Sequence, residues 1–134
     1  MGTYEVSVEH SFRAWHAIAM PDGSWENSHE HLWATTAVFR RRELDAARGV
    51  VVDFLDVMRA MTDVATRLEG RDLNKIEPLS TGGVGASAER VAEYLARLLR
   101  EAMGKDGDKL YCVSVTEAPG CRAAYFPDAG QGAG

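Results

Sequence analysis

The stretch Trp25-Glu26-Asn27-Ser28-His29-Glu30-His31 decides how the chain is read. His29 and His31 are two apart, so on an extended chain both imidazoles project from one face. His16 closes an alternating run upstream, Phe12-Arg13-Ala14-Trp15-His16. If the two runs pair as a hairpin, three neutral imidazoles converge. Three protein ligands with an open fourth position are the makings of a catalytic zinc site. Glu26, just before the histidine pair, is a carboxylate within reach of that position, whereas Glu30 points to the opposite face of a regular strand. Scattered histidines are more often surface or core residues, so the pattern gains its weight from the rest of the chain.

Upstream, Val6, Val8, His10, Phe12, Ala14 and His16 share one parity, and Glu5, Ser7, Glu9, Ser11 and Arg13 the other. That is the period of a half-buried strand, running from about Tyr4 to Ile18. His10 and His16 share a face but lie roughly 20 Å apart at strand rise. One ion cannot hold both, so His10 is read as a packed or hydrogen-bonded histidine. Pro21-Asp22-Gly23-Ser24 is a turn cluster. A second strand runs from about His29 through Phe39 to Arg42, and the two make an antiparallel hairpin. Arg40-Arg41-Arg42 reads as a solvated strand end.

Downstream, Gly49-Val50-Val51-Val52 is extended and Asp53 is a good N-cap. From Phe54 to Leu68, the residues Phe54, Leu55, Val57, Met58, Met61, Val64, Ala65 and Leu68 predict a helical apolar stripe. The helix breaks at Glu69-Gly70, and an irregular connection follows to Pro78. Ser80-Thr81-Gly82-Gly83-Val84-Gly85 matches neither a Walker loop nor a dinucleotide fingerprint and reads as a flexible loop. Ser87 can cap a second helix to Met103, with Val91, Tyr94, Leu95, Leu98 and Leu99 as its apolar face. After a turn over 104–108, a third strand runs from Leu110 into Glu117. Pro119-Gly120 turns the chain into a short fourth strand, Arg122 to Phe126. The order β-β-α-α-β-β is an α+β plan, two helices on one face of a four-stranded antiparallel sheet.

Composition bounds the function. A net charge of -5 and a pI near 5.3 argue against a dedicated nucleic-acid or membrane-surface binder. No apolar stretch approaches membrane-spanning length, and no signal peptide is visible at Met1-Gly2-Thr3-Tyr4, which makes a cytoplasmic location the default. Cys112 and Cys121 form neither a disulfide framework nor a CxxC site. Residues 1–127 read as one domain, small enough to favour oligomerisation. Residues 128–134 read as a flexible tail.

These motifs resemble the 6-pyruvoyl-tetrahydropterin synthase / 6-carboxy-tetrahydropterin synthase family over nearly the whole chain. Its F-x-A-x-H stands as Phe12-Arg13-Ala14-Trp15-His16, and its H-G-H as His29-Glu30-His31. Its G-[MV]-[VI]-x-D-F stands as Gly49-Val50-Val51-Val52-Asp53-Phe54. Its L-D-H-x-x-L-N appears, altered, as Leu68-Glu69-Gly70-Arg71-Asp72-Leu73-Asn74. Its P-T-x-E is Ala86-Ser87-Ala88-Glu89, and its strand-end glutamate with a later tyrosine is Glu117 and Tyr125.

The resemblance implies the tunnelling fold, in which trimers close a barrel and stack into hexamers with sites at subunit boundaries. It implies Zn2+ on His16, His29 and His31, polarising the side-chain oxygens of a dihydroneopterin triphosphate. Glu117 would anchor the pterin, a carboxylate accepting two parallel N–H bonds. Ser87 keeps a hydroxyl for the same pocket.

Two departures bear on mechanism. Trp25 stands where the family has its general-base cysteine, but Glu26 stands where the type III synthases, which resemble aldolases, carry a glutamate base. The family's Asp-His pair is Glu69-Gly70, which leaves Glu69 as a partial substitute for the missing imidazole. The implied function is a zinc-dependent tetrahydropterin-synthase-like lyase. A pterin- or purine-binding homologue without the reaction is the second reading. A different substrate, with Trp15, Trp25 and Trp33 reshaping the pocket, is the third.

Overall fold

The computed structural model describes residues 2–127, so the tail expected over 128–134 lies outside the described residues. Four strands, β1 (Tyr4–His16), β2 (His29–Arg41), β3 (Leu110–Ala118) and β4 (Cys121–Tyr125), form one antiparallel sheet in the order β1-β2-β3-β4. Two helices, α1 (Phe54–Leu68) and α2 (Ala88–Met103), cover one face. The first packs on β1, the second on β3 and β4.

Strand parity decides what the sheet buries. Phe12, Ala14 and His16 of β1 face the helices with Trp33, Thr35, Ala37 and Phe39 of β2. Arg13, Trp15, Glu30 and Leu32 face away and are exposed. The register pairs Ala14 with His31 and His16 with His29, so the expected hairpin delivers the three histidines to one end of the sheet. The connection cannot slip by one residue, because that would turn the whole apolar set of β2 to the solvent side.

Both helices start where the sequence places them. The Asp53 side chain accepts from Leu55 N and the Ser87 hydroxyl from Arg90 N. The stripe of α1 is narrower than expected: Val57, Ala60, Met61, Val64, Ala65 and Leu68 are buried, while Phe54, Leu55 and Met58 are exposed. At 100° per residue, Met58 lies about 100° and Leu55 about 160° around the helix from Val57, off the face that meets the sheet. Apolar type alone overcounted that face. The α2 face is as expected, with Ala92 and Ala96 added between its leucines.

Two further expectations change. The Arg40-Arg41-Arg42 strand end is at the surface, but Arg40 and Arg41 are paired there. Arg40 donates to its cross-strand partner Glu5 through Nε and Nη2 at 2.8 and 2.6 Å and lies 3.7 Å above the Tyr111 ring, and Arg41 pairs with Asp108. His10 is exposed opposite Thr35 and makes no hydrogen bond among the described residues, although it lies at the edge of a small cavity lined by Met61, Val64 and Leu99 of the helices. No helix among the described residues is long and apolar enough to cross a membrane.

Candidate metal centre

The hairpin brings the ring centroids of His16, His29 and His31 to within 4.5–5.1 Å of one another. One ring nitrogen from each lies within 4.8 Å of the other two. His16 is 2 % exposed, and the other two rings sit at the mouth. Trp33 forms the floor. It is fully buried, its ring meets His16 and His31 edge-on, and its Nε1 donates to Ala14 O at 3.2 Å. Trp33 therefore supports the ligands from the core and does not line a substrate pocket.

Backbone carbonyls set two of the tautomers. His16 Nδ1 lies 2.6 Å from Ala86 O, and His29 Nδ1 lies 2.8 Å from Asn27 O. A carbonyl can only accept, so each Nδ1 carries a proton and, in the neutral ring, each Nε2 presents a lone pair. Burial holds the His31 imidazole below its ordinary pKa, the neighbouring His29 and His16 rings adding to the effect while Glu117 and Glu26 oppose it. Burial thus favours the neutral form of His31, and the carbonyl contacts orient His16 and His29 toward the same point. His16 Nε2 is buried with no hydrogen-bond partner, the kind of orphan that a bound ion explains. Three imidazoles, two of them oriented by a second hydrogen bond, fit a metal of the zinc type.

The oriented ends are tied together by Asn74, to which the sequence assigned no role. Its Oδ1 accepts from Ala17 N and Ala86 N at 3.1 and 3.3 Å, and its Nδ2 donates to Ala17 O at 2.8 Å. It therefore joins the residue after His16 to the residue whose carbonyl orients His16. Arg90 holds the same loop from below, donating to the carbonyls of Pro78, Leu79, Thr81 and Gly85. Gly85 is required where it packs on β1. Its φ is +88°, and a Cβ there would fall 2.3 Å from Ala17 O. The glycine-rich stretch is thus a fastened wall of the site.

The other candidates divide. Glu26 arrives at the cluster: its Oε1 accepts from Ile18 N at 3.0 Å and stands 3.8 Å from His29 Nε2. Glu117 also arrives, its Oε2 standing 3.6 Å from His16 Nε2. It shares parity with buried Val113 and Val115, and the β3–β4 register shifts between Thr116 and Ala118 around it. Ser87 caps α2 beside Ala86. Glu69 is exposed, accepts from Arg13 N at 3.3 Å, and is neither hydrogen-bonded nor ion-paired to the cluster. Trp25 is half exposed, with its ring edge over Gly85.

A family model described as 6-pyruvoyl tetrahydropterin synthase matches residues 5–128. The chain belongs to this family. It is 29 % identical over 96 residues to the dihydroneopterin monophosphate aldolase of Pyrococcus furiosus, covering 72 % of this chain and 75 % of that protein. The 6-pyruvoyl tetrahydropterin synthase of Caenorhabditis elegans superposes with a TM-score of 0.80 at 24 % identity, covering 96 % of this chain and 98 % of that one. The Plasmodium vivax synthase gives 0.70 at 18 % identity, over 93 % of this chain and 98 % of that one. Solved variants of the P. vivax synthase replace a glutamate described as a catalytic residue. At these identities the solved structures speak for the fold, and the three-histidine cluster is this chain's own observation.

Proposed function

We propose that this chain is a zinc-dependent lyase of the tetrahydropterin-synthase type, acting on a dihydroneopterin-type substrate and cleaving its side chain as an aldolase does. The observation that carries the reading is the placement of Glu26, with Oε1 3.8 Å from His29 Nε2 at the rim of the three-histidine cluster. The named activity of the P. furiosus relative and the catalytic glutamate of the P. vivax synthase support it.

His16, His29 and His31 would hold the ion, which when bound polarises the hydroxyls of the substrate side chain. Glu26 is the base. It removes the proton from the hydroxyl on the second side-chain carbon. The bond between the first and second carbons breaks, leaving an aldehyde, and its electron pair passes into the dihydropterin ring. Glu26 then returns the proton to the first carbon, giving a 6-hydroxymethyl product. The Ile18 N–H bonded to Oε1 keeps this carboxylate aimed at the cluster while its second oxygen stays available. Glu117 accepts the paired N–H groups of the pterin edge, and the Ser87 hydroxyl lies beside the same wall.

The reading includes assembly of copies into a trimer or hexamer with sites at subunit boundaries. The sheet ends on two edge strands, β1 and β4; apart from Arg13–Trp15 of β1, which bond to residues 69–71, such edges favour strand addition between copies. Light scattering on the purified chain measures this directly.

Incubation of zinc-loaded protein with 7,8-dihydroneopterin monophosphate and triphosphate, with products resolved by mass, tests the function. A 6-hydroxymethyl product that falls about 10²–10⁴-fold in Glu26→Gln, with zinc retained, is expected. A 6-pyruvoyl product, or undiminished turnover in Glu26→Gln, would remove Glu26 as the base. A second reading, a pterin-binding homologue without the reaction, is favoured by Gly70, which offers no imidazole, and by Glu69, which is engaged outside the cluster. Tight pterin binding without any product would establish it.

A further inference from the structure

The two carboxylates beside the histidines are not equivalent. Glu26 Oε1 is committed to the Ile18 N–H. Glu117 Oε2 is buried without a hydrogen-bond partner and faces His16 Nε2, which is buried and unpartnered as well, at 3.6 Å. His16 Nδ1 donates to Ala86 O, so in the neutral ring, the form that binds a metal, the facing Nε2 offers a lone pair. A carboxylate oxygen has only lone pairs to offer in return. Two acceptors facing each other away from water are unfavourable unless a cation lies between them.

The spacing agrees. With bonds of about 2.0–2.1 Å, neighbouring donor atoms in a tetrahedral shell stand roughly 3.4 Å apart. The His16–Glu117 separation of 3.6 Å is close to that value. The backbone accounts for how the group gets there. Ala34 pairs with Thr116, which sets Glu117 at the end of β3 beside Trp33, the floor of the cluster. The register shift at this point leaves Glu117 without a β4 partner, as in a bulge that re-aims a side chain.

We propose that Glu117 is a fourth protein ligand of the metal in the substrate-free protein, and that an arriving pterin takes this carboxylate from the ion. The substrate would then open the coordination position that its own side chain occupies. The inference rests on reading the site as a metal centre that takes a pterin. One carboxylate that turns both oxygens to the paired N–H bonds of the pterin edge shares its charge with that edge and swings away from His16, which loosens its hold on the ion. Glu26, tethered to Ile18, stays in place through the exchange and remains the base.

The test uses the full chain. Zn2+ affinity is measured by competition with a chromophoric chelator for the parent, Glu117→Gln and Glu117→Asp, and the visible spectrum of the Co2+-loaded parent is recorded with and without neopterin. Glu117→Gln is expected to weaken metal binding by about 10–100-fold, and the shorter Glu117→Asp to weaken it as well. Neopterin is expected to shift the Co2+ bands of the parent and to make the ion easier to extract. Equal Zn2+ affinity in parent and folded Glu117→Gln overturns the inference and leaves the three-histidine centre standing. Neopterin binding, seen by its fluorescence, with unchanged Co2+ bands overturns the exchange. Failure of the parent to take up either ion overturns the metal-centre reading and this inference with it. If Glu117→Gln does not fold, Glu117→Asp supplies the comparison.

Discussion

Replacing Asn74 with alanine is expected to loosen the site from behind without touching a ligand. The side chain makes three hydrogen bonds, two accepted from Ala17 N and Ala86 N and one donated to Ala17 O. Both partner residues are buried, so their backbone groups have little water to turn to. At about 1 kcal/mol for each bond, and with a discount for the half-exposed position of Asn74, the loss comes to about 2–3 kcal/mol. For a chain of this size that corresponds to a fall in Tm of roughly 6–12 °C. The same substitution frees Ala86 from the residue that follows His16, so the carbonyl at 2.6 Å from His16 Nδ1 loses its fixed position. Metal affinity should therefore fall by about tenfold or more. Urea unfolding at fixed protein concentration gives the first quantity and chelator competition the second. A change in stability below about 0.5 kcal/mol together with unchanged metal affinity would refute the reasoning that Asn74 braces the ligand.

Gly85→Ala should fold poorly or give a protein with the loop displaced from β1. The added Cβ would meet Ala17 O at 2.3 Å, and a φ of +88° is unfavourable for any other residue; parent-like Tm and metal uptake would contradict this. Arg90→Lys should lower Tm and increase proteolysis within 78–85, because one ammonium cannot serve four carbonyls at once. The Arg48 guanidinium, with the Leu55 N–H, holds the Asp53 carboxyl below the usual carboxylate range. Its contribution to stability is present above the unfolded value, about 3.9, and is lost as pH falls through the lower folded one. Thermal melts should accordingly show the Tm advantage of the parent over Asp53→Ala shrinking in acid.

Much of the fold was legible because it rests on local rules. Parity placed Phe12, Ala14 and His16 on one face, the Pro21–Ser24 cluster marked the reversal, and Asp53 and Ser87 announced both helices through short-range hydrogen bonds. Where local rules misled, geometry around a partner was at fault. Leu55 and Met58 are apolar yet lie off the α1 face that meets the sheet, Phe54 is exposed as the first residue of the helix, and Arg40 found Glu5 and Tyr111 across strands. At the site, the histidines could be seen in advance because strand pairing alone converges them. Their supports could not. Asn74 acts on residues 57 and 12 positions away, and Arg90 gathers carbonyls that its spacing does not single out.

The sequence by itself determined the order of elements, the hairpin and the three-histidine face, because strand period and capping act within a few residues. Only the tertiary structure decided which groups surround that face. It brought Ala86 O to His16, turned Glu26 and Glu117 toward the cluster, and left Glu69 outside it. Those placements depend on how α2, its preceding loop and the end of β3 pack against β1 and β2, and the closeness of side chains far apart in the chain is set by the whole core.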